Sequence, residues 1–190
     1  YALLYAIHAL APEIEVDALT YHLGLPAEYL RLGGFPARVA FYELLPQATE
    51  MLFLFAFAFG GGSAAKLVHL AMLGASVSLI VAIARRLHLP DWAGPVAGGL
   101  YLCVPVVGVT GTSAFNDCAL VFATLAVFYL LLDEAASPLL VGLAAGFCYA
   151  IKLTGGVTTA AAAFLGWRKR GMTGSGRFAA RRPRAARGSS

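Results

Sequence analysis

Charge is scarce in this chain. Only 13% of its residues are Asp, Glu, Lys or Arg, while 59% are hydrophobic; a soluble domain carries roughly 25% charged residues. Too little polar surface remains to cover a folded body in water. That excludes an ordinary soluble domain and leaves an integral membrane protein as the natural class, in line with a mean hydropathy of +0.75. Cysteine is scarce as well. Cys103, Cys118 and Cys148 form no CxxC or Cys/His spacing and sit in or beside apolar runs. An odd, unpatterned set excludes a disulfide framework and a structural zinc site, and the bland reading is buried, inert thiols. The net charge of +4 is local in origin: from Gly171 onward the chain holds Arg177, Arg181, Arg182, Arg184 and Arg187 and no acid. No nucleic-acid partner is expected from so confined an excess.

Long apolar stretches fill the space between the charges, and they predict an all-α, polytopic transmembrane bundle. The expected spans are Leu67 to Ala84, entered near Ala64, then Trp92 to Val109, Ala119 to Leu132, Leu139 to Ile151 and Val157 to Trp167. The first apolar run, Tyr1 to Ala11, falls short of the roughly 20 residues a span needs, so the chain is expected to begin inside its first transmembrane helix. A cleaved signal peptide fits less well, since no basic region precedes the run. If the first helix leads outward, Arg85-Arg86 and Arg168-Lys169-Arg170 both fall on the cytoplasmic side, as the positive-inside rule asks. Met51 to Phe59 is too short to span and is placed as an interfacial or re-entrant segment of a long external loop, residues 11–63. Gly74-Ala75-Ser76, Gly98-Gly99 and Ala160 to Ala163 supply the small residues that let helices approach closely in lipid. From Gly171 the composition reads either as a disordered, Arg-rich cytoplasmic tail, residues 171–190, or as the product of a frameshift.

Polar chemistry is concentrated in the external loop, where Glu13, Glu15, Asp17 and His22 lie just past the end of an apolar helix. Ionisable groups are costly in hydrocarbon, so their placement at a boundary is informative. Asp17 has three readings: an N-cap of the helical stretch that follows, a base that takes a proton from an attacking hydroxyl, or a ligand of a divalent cation. His22 lies about 140° round a helix from Asp17, so the two do not form an evident dyad. Leu19, Leu23, Ala27 and Leu30 give an apolar face, with Pro26 near a helix start and Gly33-Gly34 at a stop; such short interfacial helices would lie flat on the membrane, apolar face down. On the same side Asp117 opens an apolar helix, where a carboxylate also suits the helix dipole. Lys152 stands alone between two apolar runs, placed to snorkel or to bind a phosphate as a point charge. Glu50 and Lys66 flank the short segment and could pair.

These residues resemble a family. The stretch PEIEVDALTYHLGLPAEYLRLGGFP is similar to the first external loop of GT-C membrane glycosyltransferases, in particular bacterial relatives of the dolichyl-phosphate-mannose protein mannosyltransferases and of the aminoarabinose–lipid A transferases. GGGSAAKLVHLAMLGASVSLIVAIARRL, TGTSAFNDCALVFATLAVFYLL and GLAAGFCYAIKLTGG resemble later helices of the same family, so the likeness covers residues 1–170 as a partial GT-C-like transmembrane domain. The resemblance implies transfer of a sugar from a polyprenyl-phosphate carrier to a hydroxyl of protein, lipid or polysaccharide, on the external or periplasmic face of a bacterial inner or plasma membrane, with inversion. It implies Asp17 as general base, Asp117 as the second acidic position and Lys152 as the family lysine, with Glu15 and His22 beside them as substrate-binding candidates. No cofactor is required by this reading; a divalent cation held by Asp17 and Asp117 is the one candidate. Where relatives carry Asp-Glu together, this chain has Asp17-Ala18 with Glu15 before it. The resemblance also implies that further helices lie outside this chain, which as a fragment would be inactive alone. The alternatives are a transporter, which would place its ionisable groups mid-span beside broken helices, and a non-catalytic membrane protein.

Overall fold

The computed structural model describes residues 1–38 and 40–179, and the described residues are all-helical, without a strand. Eight α-helices follow in order: α1 (Ala2–Leu10), α2 (Gly24–Leu32), α3 (Ala48–Arg86), α4 (Ala93–Cys103), α5 (Pro105–Thr112), α6 (Asp117–Leu131), α7 (Pro138–Ile151) and α8 (Gly156–Ala179). A π-helical turn, Ala18–His22, precedes α2, and single 3₁₀ turns occupy Tyr42–Leu44 and Leu153–Gly155.

Two contacts fix the direction of the helices. Arg86, at the end of α3, bridges to Asp133, just past α6, at 2.7 Å, so both helices finish at the same end of the bundle. Lys152, after α7, meets Asp117, the first residue of α6, at 2.8 Å, so α6 and α7 run oppositely. The end that gathers Arg85 and Arg86 is therefore opposite the end that gathers the acidic loop, Asp117 and Lys152.

Helix α3 is two helical rods broken at Gly60 and Gly61, which separates Met51–Phe59 from the stretch beginning near Ala64 as the sequence divides them. Gly61 sits at φ 65°, ψ −157°, a region that essentially only glycine adopts. Helix rises 1.5 Å per residue, giving roughly 18 Å before the break and about 37 Å after it; only the second rod exceeds the ~30 Å of a hydrocarbon core. The expected single span from Trp92 to Val109 is also corrected. It is two helices, α4 and α5, bent by 73°. Pro105 offers no N–H and clashes with the turn before it, and Val104 is pushed to extended backbone, φ −72°, ψ 118°. The bend separates Leu102 from the helical partner its carbonyl would have, and the Tyr5 hydroxyl of α1 donates to that carbonyl at 2.6 Å.

Among the described residues, α3 is the one helix long and apolar enough to cross a membrane, or there are up to two spans if the bent α4–α5 pair counts as one; α6 and α7 are shorter apolar helices. The core is made of small side chains. Ala119, Ala123, Val127, Ala145, Cys148, Ile151 and Ala162 join α6, α7 and α8, with Thr159 donating to the Ala145 carbonyl at 2.6 Å across the seam. A second cluster of Ala18, Leu23, Phe53, Ala65 and Ala114 packs the first loop onto α3. Close approach is visible at Gly94, where a Cβ would come within 3.0 Å of the Val81 backbone.

Three further expectations need amendment. Of the expected apolar stripe of α2 and the turn before it, Leu19 and Leu30 are exposed but Leu23 is buried, and Leu25, Pro26 and Tyr29 also pack into the protein. Leu23 packs with Phe53 and Ala65 of α3, and the Tyr29 hydroxyl donates to Gln47 just before it. Of the three thiols, Cys118 and Cys148 are buried but Cys103, at the bend, is exposed. Helix α8 continues past Gly171 to Ala179, since extending a formed helix costs little beside starting one; residues 180–190 of the expected tail lie outside the described residues.

Gly61→Val is expected to destabilise the protein by about 1–3 kcal/mol through backbone strain, whereas Gly99→Ala, where an added methyl meets nothing within 4 Å, is expected to be neutral or stabilising by up to ~1 kcal/mol. Thermal unfolding of the two variants in lipid nanodiscs checks this. Equal stabilities would mean that the break is not held at Gly61.

Candidate active site

Beyond α1 the chain turns back through Glu13, whose carboxylate organises the loop. Its Oε1 accepts from the N–H groups of Ile14 at 2.9 Å and Glu15 at 3.1 Å, and its Oε2 accepts from Ala114 N–H at 2.9 Å. The first loop is thereby tied to the α5–α6 connection a hundred residues away. Lys66 performs a related task below. It is 1% exposed and donates to the carbonyls of His8 at 3.2 Å and Ala11 at 2.6 Å. A buried ammonium is thus satisfied by the open carbonyl end of α1, where the helix dipole favours a cation.

Asp17 precedes the π-turn in helical backbone (φ −64°, ψ −40°), and its side chain makes no capping bond. The capping role that its position suggests is absent, and its carboxylate faces the exposed side of the loop. One turn on, Tyr21 stacks parallel to Tyr42 with ring centroids 4.7 Å apart and lies 3.9 Å from the His22 ring. Burial, and then the nearby carboxylates of Asp17, Glu50 and Asp117, push the Tyr21 phenol up to about 12. The hydroxyl therefore stays protonated, available as a donor.

His22 is not isolated. It is buried, and its Nδ1 lies 2.5 Å from Glu50 Oε1. The Glu50–Lys66 pair suggested by their positions does not form; each has a different partner. Glu50 Oε2 and the hydroxyl of its neighbour Thr49 are buried without a hydrogen-bond partner. Nothing local in the sequence links His22 to Glu50, 28 positions on, and the usable signal is only that Glu50 begins an apolar helix that has no reason to bury a carboxylate. His69, another buried imidazole, was likewise not singled out by its sequence context. Its Nδ1 meets the Ser113 carbonyl at 2.9 Å and its Nε2 accepts from Cys118 N–H at 3.2 Å. These two bonds fix the proton on Nδ1 and use both nitrogens, which makes it a brace for the start of α6.

Asp117 and Lys152 are brought together. Their 2.8 Å pair is part-exposed, with Lys152 held in the extended break between α7 and α8. Asn116, just before Asp117, donates to the Ile151 carbonyl at 3.4 Å, and its Oδ1 is buried without a partner. Glu15 enters through its backbone, donating to Glu13 and accepting from Leu19 N–H at 3.0 Å. The five sequence-selected residues, Glu15, Asp17, His22, Asp117 and Lys152, thus occupy one end of the bundle, with Tyr21 and Glu50 added by the structure. Among the described residues no three His, Cys, Asp or Glu side chains converge in a metal-binding group; Asp17 and Asp117 could contribute at most two ligands, and Asp117 is engaged by Lys152. No family model, curated protein or solved structure matches this chain.

Breaking the buried pair is expected to cost more than removing it. His22→Leu and Glu50→Leu singly should each destabilise by about 3–5 kcal/mol, because each leaves a buried polar partner alone, while the double substitution should cost distinctly less than the sum. A double-mutant cycle of unfolding in mild detergent measures this; additive losses would show that the two side chains do not interact.

Proposed function

We propose that this chain is part of a polytopic membrane glycosyltransferase of the GT-C type, which moves a sugar from a polyprenyl-phosphate carrier to a hydroxyl acceptor on the external face. The observation that carries the reading is the free carboxylate of Asp17, uncapped and exposed at the same end of the bundle as the Asp117–Lys152 pair. A membrane setting is supported by the apolar surface: Leu3, Leu4 and Ile7 on α1, Leu100 on α4, Leu139 and Leu143 on α7 and Phe164 on α8 are all exposed. Only 28% of the most apolar window of α3 is buried by protein. A surface of that kind needs hydrocarbon around it, and the polar end then meets the headgroups where a lipid-linked sugar presents its phosphate.

In this reading Asp17 accepts the proton of the acceptor hydroxyl as its oxygen attacks the anomeric carbon. The bond from that carbon to the carrier phosphate breaks on the opposite face, which inverts the centre and releases polyprenyl phosphate. Lys152 offers the leaving phosphate a point charge, and Asp117 holds the ammonium in place until the donor arrives. Tyr21, kept protonated, supplies a hydrogen-bond donor beside the base.

A transporter is the second reading, and the bend between α4 and α5 is what favours it, since transporters use broken helices at their binding sites. Yet no Asp, Glu, Lys or Arg lies within Tyr101–Gly108, so the break carries no ion-coupling chemistry of its own.

The test is transfer of radiolabelled sugar from polyprenyl-phosphate donors in membranes carrying the protein at its full natural length. Asp17→Asn should lower turnover about 10²–10⁴-fold, the usual worth of a general base, with insertion unchanged. Undiminished turnover would remove Asp17 as base, and no transfer from any donor by well-expressed wild type would favour transport. A cysteine introduced at Glu15 should react with a membrane-impermeant maleimide in intact cells; reaction only after permeabilisation would invert the orientation.

A further inference from the structure

The break at Gly60 and Gly61 reverses the course of α3. On one continuous helix Phe53 and His69 would stand about 24 Å apart; their ring centroids are 6.0 Å apart. Phe53 and Ala65 share one buried cluster, with Phe57 and Val68 packed against it, and a Cβ on Gly62 would meet the Phe57 ring at 4.0 Å. Farther from the break, Ala48 and Met72 both pack against the core of α6, α7 and α8. The first rod, Ala48–Phe59, therefore folds back along the second, with the two glycines at the apex.

Folding back gives the first rod two faces. Thr49, Glu50, Phe53 and Ala56 are buried against the protein. Leu52, Phe55 and Phe59, at helical spacing on the other side, are 39%, 70% and 79% exposed, and the rings of Phe55 and Phe59 meet edge-to-face at 5.1 Å. No charged residue occurs from Met51 to Ala65. The level of this row follows from the second rod, which ends at Arg85 and Arg86. A hydrocarbon core of ~30 Å, measured back from them along the helix, reaches about Lys66. His69 lies inside that limit and Phe53 beside it, while the apex lies outside. The short rod therefore runs through the boundary between acyl chains and headgroups, where aromatic rings are favoured.

A second helix fits this row poorly. Where the protein packs helix on helix it uses small side chains, as at Gly94 against Val81 and at Ala119, Ala123 and Ala145 between α6 and α7. The row has no small residue, and no polar group to specify a partner. It is also continuous with apolar surface on α1: Ser63, just past the apex, donates from its hydroxyl to the Leu10 carbonyl at 3.2 Å, and Leu10 is itself exposed. We propose that the Leu52–Phe55–Phe59 face is a lipid-binding surface, seated among acyl chains at its Leu52 end and at the headgroups at its Phe59 end. Helix α3 is then an unequal hairpin, with one spanning arm and one short arm at the interface. The opposite face of the short arm carries Glu50 to His22, so the first loop is fastened to a rod that lipid holds in place. The inference rests on the membrane setting of the chain and not on the glycosyltransferase reading.

The experiment is power-saturation electron paramagnetic resonance on the protein at its full natural length in lipid nanodiscs. A nitroxide is attached in turn at Phe55→Cys, at Phe59→Cys and, on the exposed face of α7, at Leu143→Cys. Cys103→Ser removes the exposed native thiol, and Cys118 and Cys148 are buried. Oxygen, which concentrates in hydrocarbon, and a nickel chelate, which stays in water, are the two relaxants. Phe55 and Phe59 are exposed, so labelling leaves the packed face of the rod untouched. Oxygen is expected to outweigh nickel at Phe55 and Leu143, with a smaller excess at Phe59, nearer the apex. Nickel prevailing at Phe55 while oxygen prevails at Leu143 would overturn this inference alone; nickel prevailing at Leu143 as well would bring down the membrane setting with it. Screening of Phe55 from both relaxants would reveal a protein neighbour on the face, and a larger oxygen excess at Phe59 than at Phe55 would mean that the rod does not fold back. Either result overturns the proposal.

Discussion

The cost of burying a polar group where little can satisfy it governs this molecule. Among the described residues, the buried charges have been given designated partners: Lys66 the carbonyls of His8 and Ala11, and Glu50 the ring of His22. The contact between His22 and Glu50 is where that constraint presses hardest. It joins the first loop to the start of α3 through two side chains that water does not reach, and the π-turn, the Tyr21 stack and the orientation of Asp17 all hang from it. Were the pair absent, Glu13, the bond from Lys66 to Ala11 and the small apolar cluster around Ala18 would be left to hold the loop down.

A division of labour follows among the buried ionisable groups. Lys66 closes the carbonyl end of α1, His69 spans Ser113 and the start of α6, and Glu13 laces the first loop to Ala114. None of these has capacity left for a substrate. The groups that do have it are Asp17, the Asp117–Lys152 pair and the Tyr21 hydroxyl, and all of them lie at the same end of the bundle. Bracing groups are therefore deep and mostly committed, while the more exposed ones remain available, with Glu50 Oε2 the exception at the buried pair.

Much of the architecture was legible in the sequence because hydrophobicity and helix stops are local signals. The apolar runs gave α6 and α7 nearly residue for residue, Gly33 ended α2 at φ 67°, and Arg85-Arg86 were correctly separated from the acidic loop. What could not be read was non-local or depended on a single backbone angle. The bend at Val104–Pro105 was hidden inside an unbroken apolar run, although Pro105 was its one available sign. Of the candidate site, Asp17, Asp117 and Lys152 could be chosen for being charges in oil, but the partnership of His22 with Glu50 joins residues far apart in sequence, and no periodicity encodes it.

The hydroxyl of Tyr5 on the Leu102 carbonyl ties together positions 97 apart in the chain. The bend after α4 takes away the intrahelical donor that this carbonyl would have, and a part-buried acceptor left without one costs free energy. The irregular backbone at Val104–Pro105 therefore draws its missing bond from α1, so loosening the seat of α1 would be felt as a change of angle between α4 and α5. The shape of one kink is held at a distance, by a helix that shares no turn with it.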